Sequence, residues 1–273
     1  MPLNESQVTN GVSKWTRWWV GQRKIKLREQ LSETMTINPL MLPVIFELHA
    51  LKTFDELAEL FIAGHLMVGH NTGFGKLIDE KVLPEVFGTV KLDAKYRKGN
   101  RPINESCFDE IDHVVPRGTD VPDLLSLKAS KWTIQLTMAV QLNASFNEIL
   151  SNYGNRYGKI IVGVFYGKKE GLTDKYDILR GINRGKRHNV TDLTGRVMVY
   201  SGREFWSWLN GGETRTQDWV LDGILKGVKE DNSWGECGKL LSDFKSEIKK
   251  KFSGHMQKDG SIDWHSLLKS ISG

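Results

Sequence analysis

Apolar positions in the first third of the chain recur at helical spacing. Trp15, Trp18, Trp19, Ile25, Leu27 and Leu31 mark a helix that is expected to run to about Thr36. The segment NPLMLPVIFELH is also apolar, but Pro39 and Pro43 limit the length of any helix there. Thr53 and Glu56 stand at capping-box spacing at the head of TFDELAELFIAGHLMVGH, which predicts another helix start. A further helix is expected from Phe74 to Phe87, with Gly88 as its stop.

The middle third changes period. Cys107 to Val115 and Leu124 to Ala129 read as two strands joined by a turn around PRGTDVP. A long amphipathic helix follows over Thr133 to Tyr153, with Ile134, Met138, Leu142, Phe146 and Ile149 on one face. KIIVGVFYG is nearly all apolar, as a strand buried on both faces must be, and RVMVYSG is the next strand. Between them lies a long polar insert, KKEGLTDKYDILRGINRGKRHNVTD. From Glu204 the chain returns to helices, interrupted at NGGETR and NSWGECG. These elements predict an α/β protein in three parts: a helical region over 1–71, a sheet-containing core over 72–202, and a C-terminal helical region over 203–273.

Composition narrows the class without naming a function. The chain has 273 residues, 39% hydrophobic and 26% charged, enough to bury a sizeable core. No run approaches the roughly 18 apolar residues of a membrane span. The N-terminal stretch lacks an apolar signal core, so the expected location is the cytoplasm. Cys107 and Cys237 cannot build a disulfide framework, and no CxxC pair suggests zinc. The net charge of +5 gives a weak preference for polyanionic partners.

Candidate chemistry concentrates in CFDEIDHVVPRGTDVPDLLSLKASKW, residues 107–132. On a strand, Glu110 and Asp112 point one way while Asp109 and His113 point the other. Ser126 and Lys128 share a face of the second strand, so pairing can bring Asp112 beside them. A hard carboxylate next to an ammonium suits Mg²⁺-assisted attack on a phosphodiester: the acid holds the ion and the lysine positions or deprotonates water. The bland alternative is a charged surface hairpin.

The arrangement Asp112 followed by Ser126-Leu127-Lys128 resembles the PD-(D/E)XK nuclease superfamily, with Ser126 where an acid is usual and no proline ahead of Asp112. Over longer stretches the chain is similar to one subgroup, the type II restriction endonucleases that cut purine-GGNCC-pyrimidine. SETMTINPLMLPVIF, HNTGFGKLIDEKVLP, CFDEIDHV, LLSLKASKWTIQLTMAVQLN, VGVFYG, GLTDKYDILRGIN and EFWSWLN carry that resemblance in order from Ser32 to Asn210. It implies a central mixed β-sheet of the restriction-endonuclease-like type flanked by helices, with the terminal helices as a dimerisation region. It also implies a Mg²⁺-dependent homodimer that cleaves double-stranded DNA at RGGNCCY and leaves 5′-phosphates. Asp112, Glu80 and the Leu127 main-chain carbonyl are then the expected metal ligands, Lys128 activates water, and Glu110 and Ser126 complete the catalytic set.

Contacts to DNA are expected mainly from the polar insert. Lys175, Tyr176, Arg180, Asn183, Arg184, Lys186, Arg187 and His188 supply phosphate-binding and base-reading groups, joined by Lys131 and Gln135 after the second strand. A solvated basic loop is the plainer reading of that insert. Two rival functions remain: a non-cleaving sequence-specific DNA-binding protein with a degenerate nuclease core, and a small-molecule α/β enzyme.

Overall fold

The computed structural model describes residues 2–32, 40–118, 120–128, 134–183, 185, 188–231, 234–258 and 261–272. Two compact units emerge: Met1–Thr16 with Gly75–Gly227, and Arg17–Phe74 with Val228–Gly273. The sheet-bearing unit therefore takes in the start of the chain and extends beyond residue 202, the limit expected from sequence. Among the described residues no helix is long and apolar enough to cross a membrane.

The first unit is built on a five-stranded mixed sheet in the order β1 (Val90–Lys91), β2 (His113–Arg117), β3 (Asp120–Lys128), β4 (Ile160–Val164) and β5 (Val197–Ser201). The first two pairings are antiparallel and the last two parallel. Gly118, at φ +65°, closes the tight β2–β3 connection, a backbone region that suits glycine. Every residue of β4 is buried, as its continuous apolar run predicts.

Alternation along the strands sorts two faces. Leu124, Ile160, Val162, Val197 and Val199 join one core with Leu142, Phe146 and Ile149 of the helix α6 (Leu136–Tyr153). Phe146 is fully buried there, so truncation to alanine costs about 3–5 kcal/mol. The opposite face carries Gly163, where a Cβ would lie 2.6 Å from the Phe205 ring. Glycine thus lets the helix α8 (Arg203–Leu209) approach the sheet. Gly223 and Gly227 do the same for α9 (Thr216–Glu230) against the first turns of α1 (Glu5–Ser32).

The second unit is helical. The rest of α1, α2 (Met41–Leu48) and most of α3 (Phe54–Leu77) combine with α10 (Trp234–Phe252) and α11 (Trp264–Ser272). Leu42, Phe46, Leu57, Phe244, Phe252 and Leu267 form its core, and Trp264 meets Phe46 edge-on at 5.1 Å. C-terminal helices therefore pack with N-terminal ones. The capping box is realised: Glu56 N–H donates to Thr53 Oγ1 at 3.2 Å, and Thr53 N–H donates to Glu56 Oε2 at 3.1 Å.

Two expectations from sequence change. Cys107 to Asp112 are not strand; a 3₁₀ turn over Ser106–Phe108 precedes β2. Cys107, Phe108 and Ile111 are apolar at turn spacing and all reach the main core, which an extended chain could not achieve. The helix expected over Phe74–Phe87 is instead the end of α3, one π-helical turn at Ile78–Val82, and α4 (Leu83–Phe87), which Gly88 stops at φ +69°.

Candidate active site

Asp112 is fixed through its backbone and its side chain. Its N–H donates to the Leu125 carbonyl at 2.8 Å, and its carbonyl accepts from Leu92 N–H at 2.8 Å. Asp112 thus links β3 to the strand end at β1, one residue before β2 begins. Its Oδ2 accepts from Leu127 N–H at 2.6 Å, so the carboxylate lies along the Leu125–Leu127 stretch of β3. Burial pushes the Asp112 carboxyl above its ordinary range. The Leu127 N–H and the Lys128 charge pull it back, and Asp79 adds to the upward push.

Lys128 ends β3 with its Nζ donating to Glu110 Oε2 at 3.0 Å. The ammonium is largely buried and the Glu110 carboxylate only half so. Between them in sequence lies Ser126, fully buried, whose Oγ has no hydrogen-bond partner. Glu110 meets Lys128, and Asp112 rests on the adjoining Leu127, in the same stretch of β3 as Ser126. Glu110 arrives from a turn and not from a strand face.

Glu80 is exposed, and its neighbour Asp79 is the carboxylate whose charge adds to the upward push on Asp112. Asp79 Oδ1 accepts from His113 Nε2 at 2.8 Å, and Oδ2 accepts from Lys91 Nζ. Because a carboxylate only accepts, Nε2 carries the proton; in the neutral ring Nδ1 then takes the Thr89 hydroxyl proton, with Nδ1 and Oγ1 2.9 Å apart. Burial opposes ionisation of Asp79, but the His113 and Lys91 hydrogen bonds outweigh it and hold the carboxyl below its ordinary value. The sequence carried a signal for this. Leu77, Ile78, Val82 and Leu83 form the buried stripe, and at about 100° per residue position 80 points away from Ile78 while 79 flanks it.

The oxygen donors suit a hard divalent cation. Asp112 supplies a half-buried carboxylate fastened to the main chain at Leu127, one residue from a buried Ser126 hydroxyl with no partner, and a cation would relieve the cost of ionising Asp112. Among the described residues, no three His, Cys, Asp or Glu side chains form a group that could hold a metal by themselves. Any ion here would therefore need main-chain, hydroxyl or other added oxygens beside the carboxylates.

The expected DNA contacts fare unevenly. Gln135 is exposed at the start of α6. Lys175 pairs with Asp174 at 2.5 Å, and Arg180 Nε donates to the Val197 carbonyl at 3.3 Å. Asn183 Oδ1 accepts from His188 N–H at 3.0 Å, which ties the two ends of the basic stretch together. Tyr176 is a correction: it is 3% exposed within the main core, alongside Ile178 and Leu179, so its ring is a packing group. Lys131, Arg184, Lys186 and Arg187 lie outside the described residues.

Compared with known proteins, the chain matches no family model and no curated sequence.

Proposed function

We propose that this protein is a Mg²⁺-dependent, site-specific double-strand DNA endonuclease of the PD-(D/E)XK type, acting in the cytoplasm as a homodimer at RGGNCCY sites. The observation that carries the reading is the Asp112 carboxylate fastened to Leu127 N–H beside a Lys128 ammonium paired with Glu110. A charged surface hairpin has no reason to hold half-buried an acid that desolvation makes harder to ionise. The mixed sheet and the helices on both its faces agree with that superfamily's general architecture.

Asp112 and the Leu127 carbonyl would hold Mg²⁺, with Asp79 as a further acid close by. Bound there, the ion offsets negative charge growing on the scissile phosphate. Lys128 Nζ, steadied by Glu110, orients the attacking water. Passing its own proton to Glu110 would free the amine to take one from that water. Leu127 N–H binds one Asp112 oxygen, and the other would be the one to hold the ion. Lys175, Arg180, Asn183 and Gln135, with the basic residues of the 183–188 stretch, meet the DNA, and a two-fold dimer matches a palindromic site.

Digestion of a mapped plasmid with Mg²⁺, followed by sequencing of the ends, tests this. Discrete cuts at RGGNCCY with 5′-phosphates are expected. Intact DNA under conditions in which the protein binds it would instead favour the non-cleaving reading.

A further inference from the structure

Resting on the nuclease reading above, we infer that Arg97 is the positioning residue of the active site: it holds the turn that delivers Glu110 to Lys128 and Asp112 to Leu127. Arg97 lies on the short helix α5 (Ala94–Gly99), and its guanidinium donates to four main-chain carbonyls. Nε reaches Leu92 at 2.9 Å, Nη1 reaches Ile103 at 3.2 Å and Phe108 at 3.0 Å, and Nη2 reaches Ile111 at 2.6 Å.

The pattern of acceptors is what points to the site. Phe108 and Ile111 flank the Asp109–Glu110 turn, and Ile111 immediately precedes Asp112. Leu92, the fourth acceptor, is the residue whose N–H donates to the Asp112 carbonyl. One planar cation thus ties the β1 end, the turn and the entrance to β2 into a single body.

The buried Cys107, Phe108 and Ile111 side chains anchor this turn to the core, but little else holds its main chain. Residues 106–112 lie outside the strands, and their other main-chain hydrogen bonds are short-range apart from those of Asp112. The Glu110–Lys128 pair cannot hold it alone, because a half-exposed carboxylate gains at most about 1 kcal/mol from such a contact. A guanidinium presents a rigid fan of donors that a lysine ammonium cannot copy, so the site selects arginine.

Arg97 touches neither the ion nor water in this account, so its effect must pass through Asp112 and Glu110. In Arg97→Met, single-turnover DNA cleavage is expected to fall about 100-fold, the scale of a misplaced catalytic group. Half-maximal cleavage should need about tenfold more Mg²⁺, as for other losses of ligand support. DNA affinity measured with Ca²⁺ in place of Mg²⁺ should stay within about threefold, since the turn carries no proposed DNA contact. Arg97→Lys should recover only part of the loss. A second readout needs no activity: amide exchange at Leu127, whose N–H rests on Asp112, should quicken in Arg97→Met more than at Leu125.

Arg97→Met that stays folded at the assay temperature, with unchanged Leu127 exchange, overturns the positioning role whether or not the wild type cuts DNA. Unchanged cleavage and Mg²⁺ demand in a cleaving protein overturn it equally. A wild-type protein that cuts no DNA removes the nuclease reading, and the Leu127 exchange then decides the role of Arg97 by itself.

Discussion

Two carboxylates lie around the β1–β2–β3 strands, and their surroundings have opposite character. Asp79 is satisfied: His113 and Lys91 both donate to it, Thr89 fixes the far side of the imidazole, and its carboxyl ionises more readily than usual. Asp112 is held by one backbone N–H, on the same β3 end as a buried Ser126 hydroxyl with no partner, and ionises less readily than usual. A group that stabilises a fold is normally surrounded as Asp79 is. A group kept ready for a ligand looks like Asp112, with charge and donor capacity that the fold itself leaves uncompensated.

Exchanging each group for a neutral copy should break this comparison in opposite directions. Asp112→Asn has the largest expected effect, loss of DNA cleavage to background, together with a gain in stability. Burial raises the folded-state pKa of Asp112 above its unfolded value. Any stability from this group is therefore present at low pH and lost as pH rises through the folded value. The variant should gain about 0.5–2 kcal/mol at neutral pH, the range of substitutions that relieve functional strain. That gain should vanish in acid, which thermal melts across pH can follow.

Asp79→Asn should do the reverse. Its folded-state pKa is lowered, so its stabilisation is present above the unfolded value and lost as pH falls through the folded one. At neutral pH, losing the charged acceptor costs about 1–3 kcal/mol, and the deficit relative to wild type should close in acid. His113→Phe sharpens the point, because it removes a fully buried donor from Asp79 and strands the Thr89 hydroxyl. Denaturant melts should show a loss of about 2 kcal/mol without a change of fold.

Ser126→Ala has the smallest expected effect on the protein alone. Its Oγ has no partner to lose, so stability should hold or rise by about 1 kcal/mol. A stability loss beyond that would mean the hydroxyl is already satisfied, and the contrast with Asp79 would weaken.

Much of this region was legible because strand chemistry is local. The continuous apolar run of β4 and the alternation through Leu124, Ser126 and Lys128 already marked β3 and β4 as neighbouring core strands. What escaped depended on contacts remote in sequence. Nothing near Cys107 announces that Arg97 will take the carbonyls that a strand ladder would otherwise satisfy, so the stretch read as extended. The ion-paired role of Asp79, next to the expected ligand Glu80, rests on His113 and Lys91, which lie 12 or more residues away. Tyr176 sits in a polar insert, yet Ile178 and Leu179 mark the same short segment as core. The fold's class was thus readable, whereas the partner of each charge was not.

The account turns on Lys128 acting in chemistry and not in recognition. Wild-type protein and Lys128→Ala should be compared on one duplex containing a single RGGNCCY site, with cleavage followed in Mg²⁺ and affinity in Ca²⁺. The prediction is a fall in cleavage of about 10²–10⁴-fold, as for removal of an acid–base group, with affinity nearly unchanged. Cleavage that survives the substitution, or affinity that falls in step with it, would contradict the central claim.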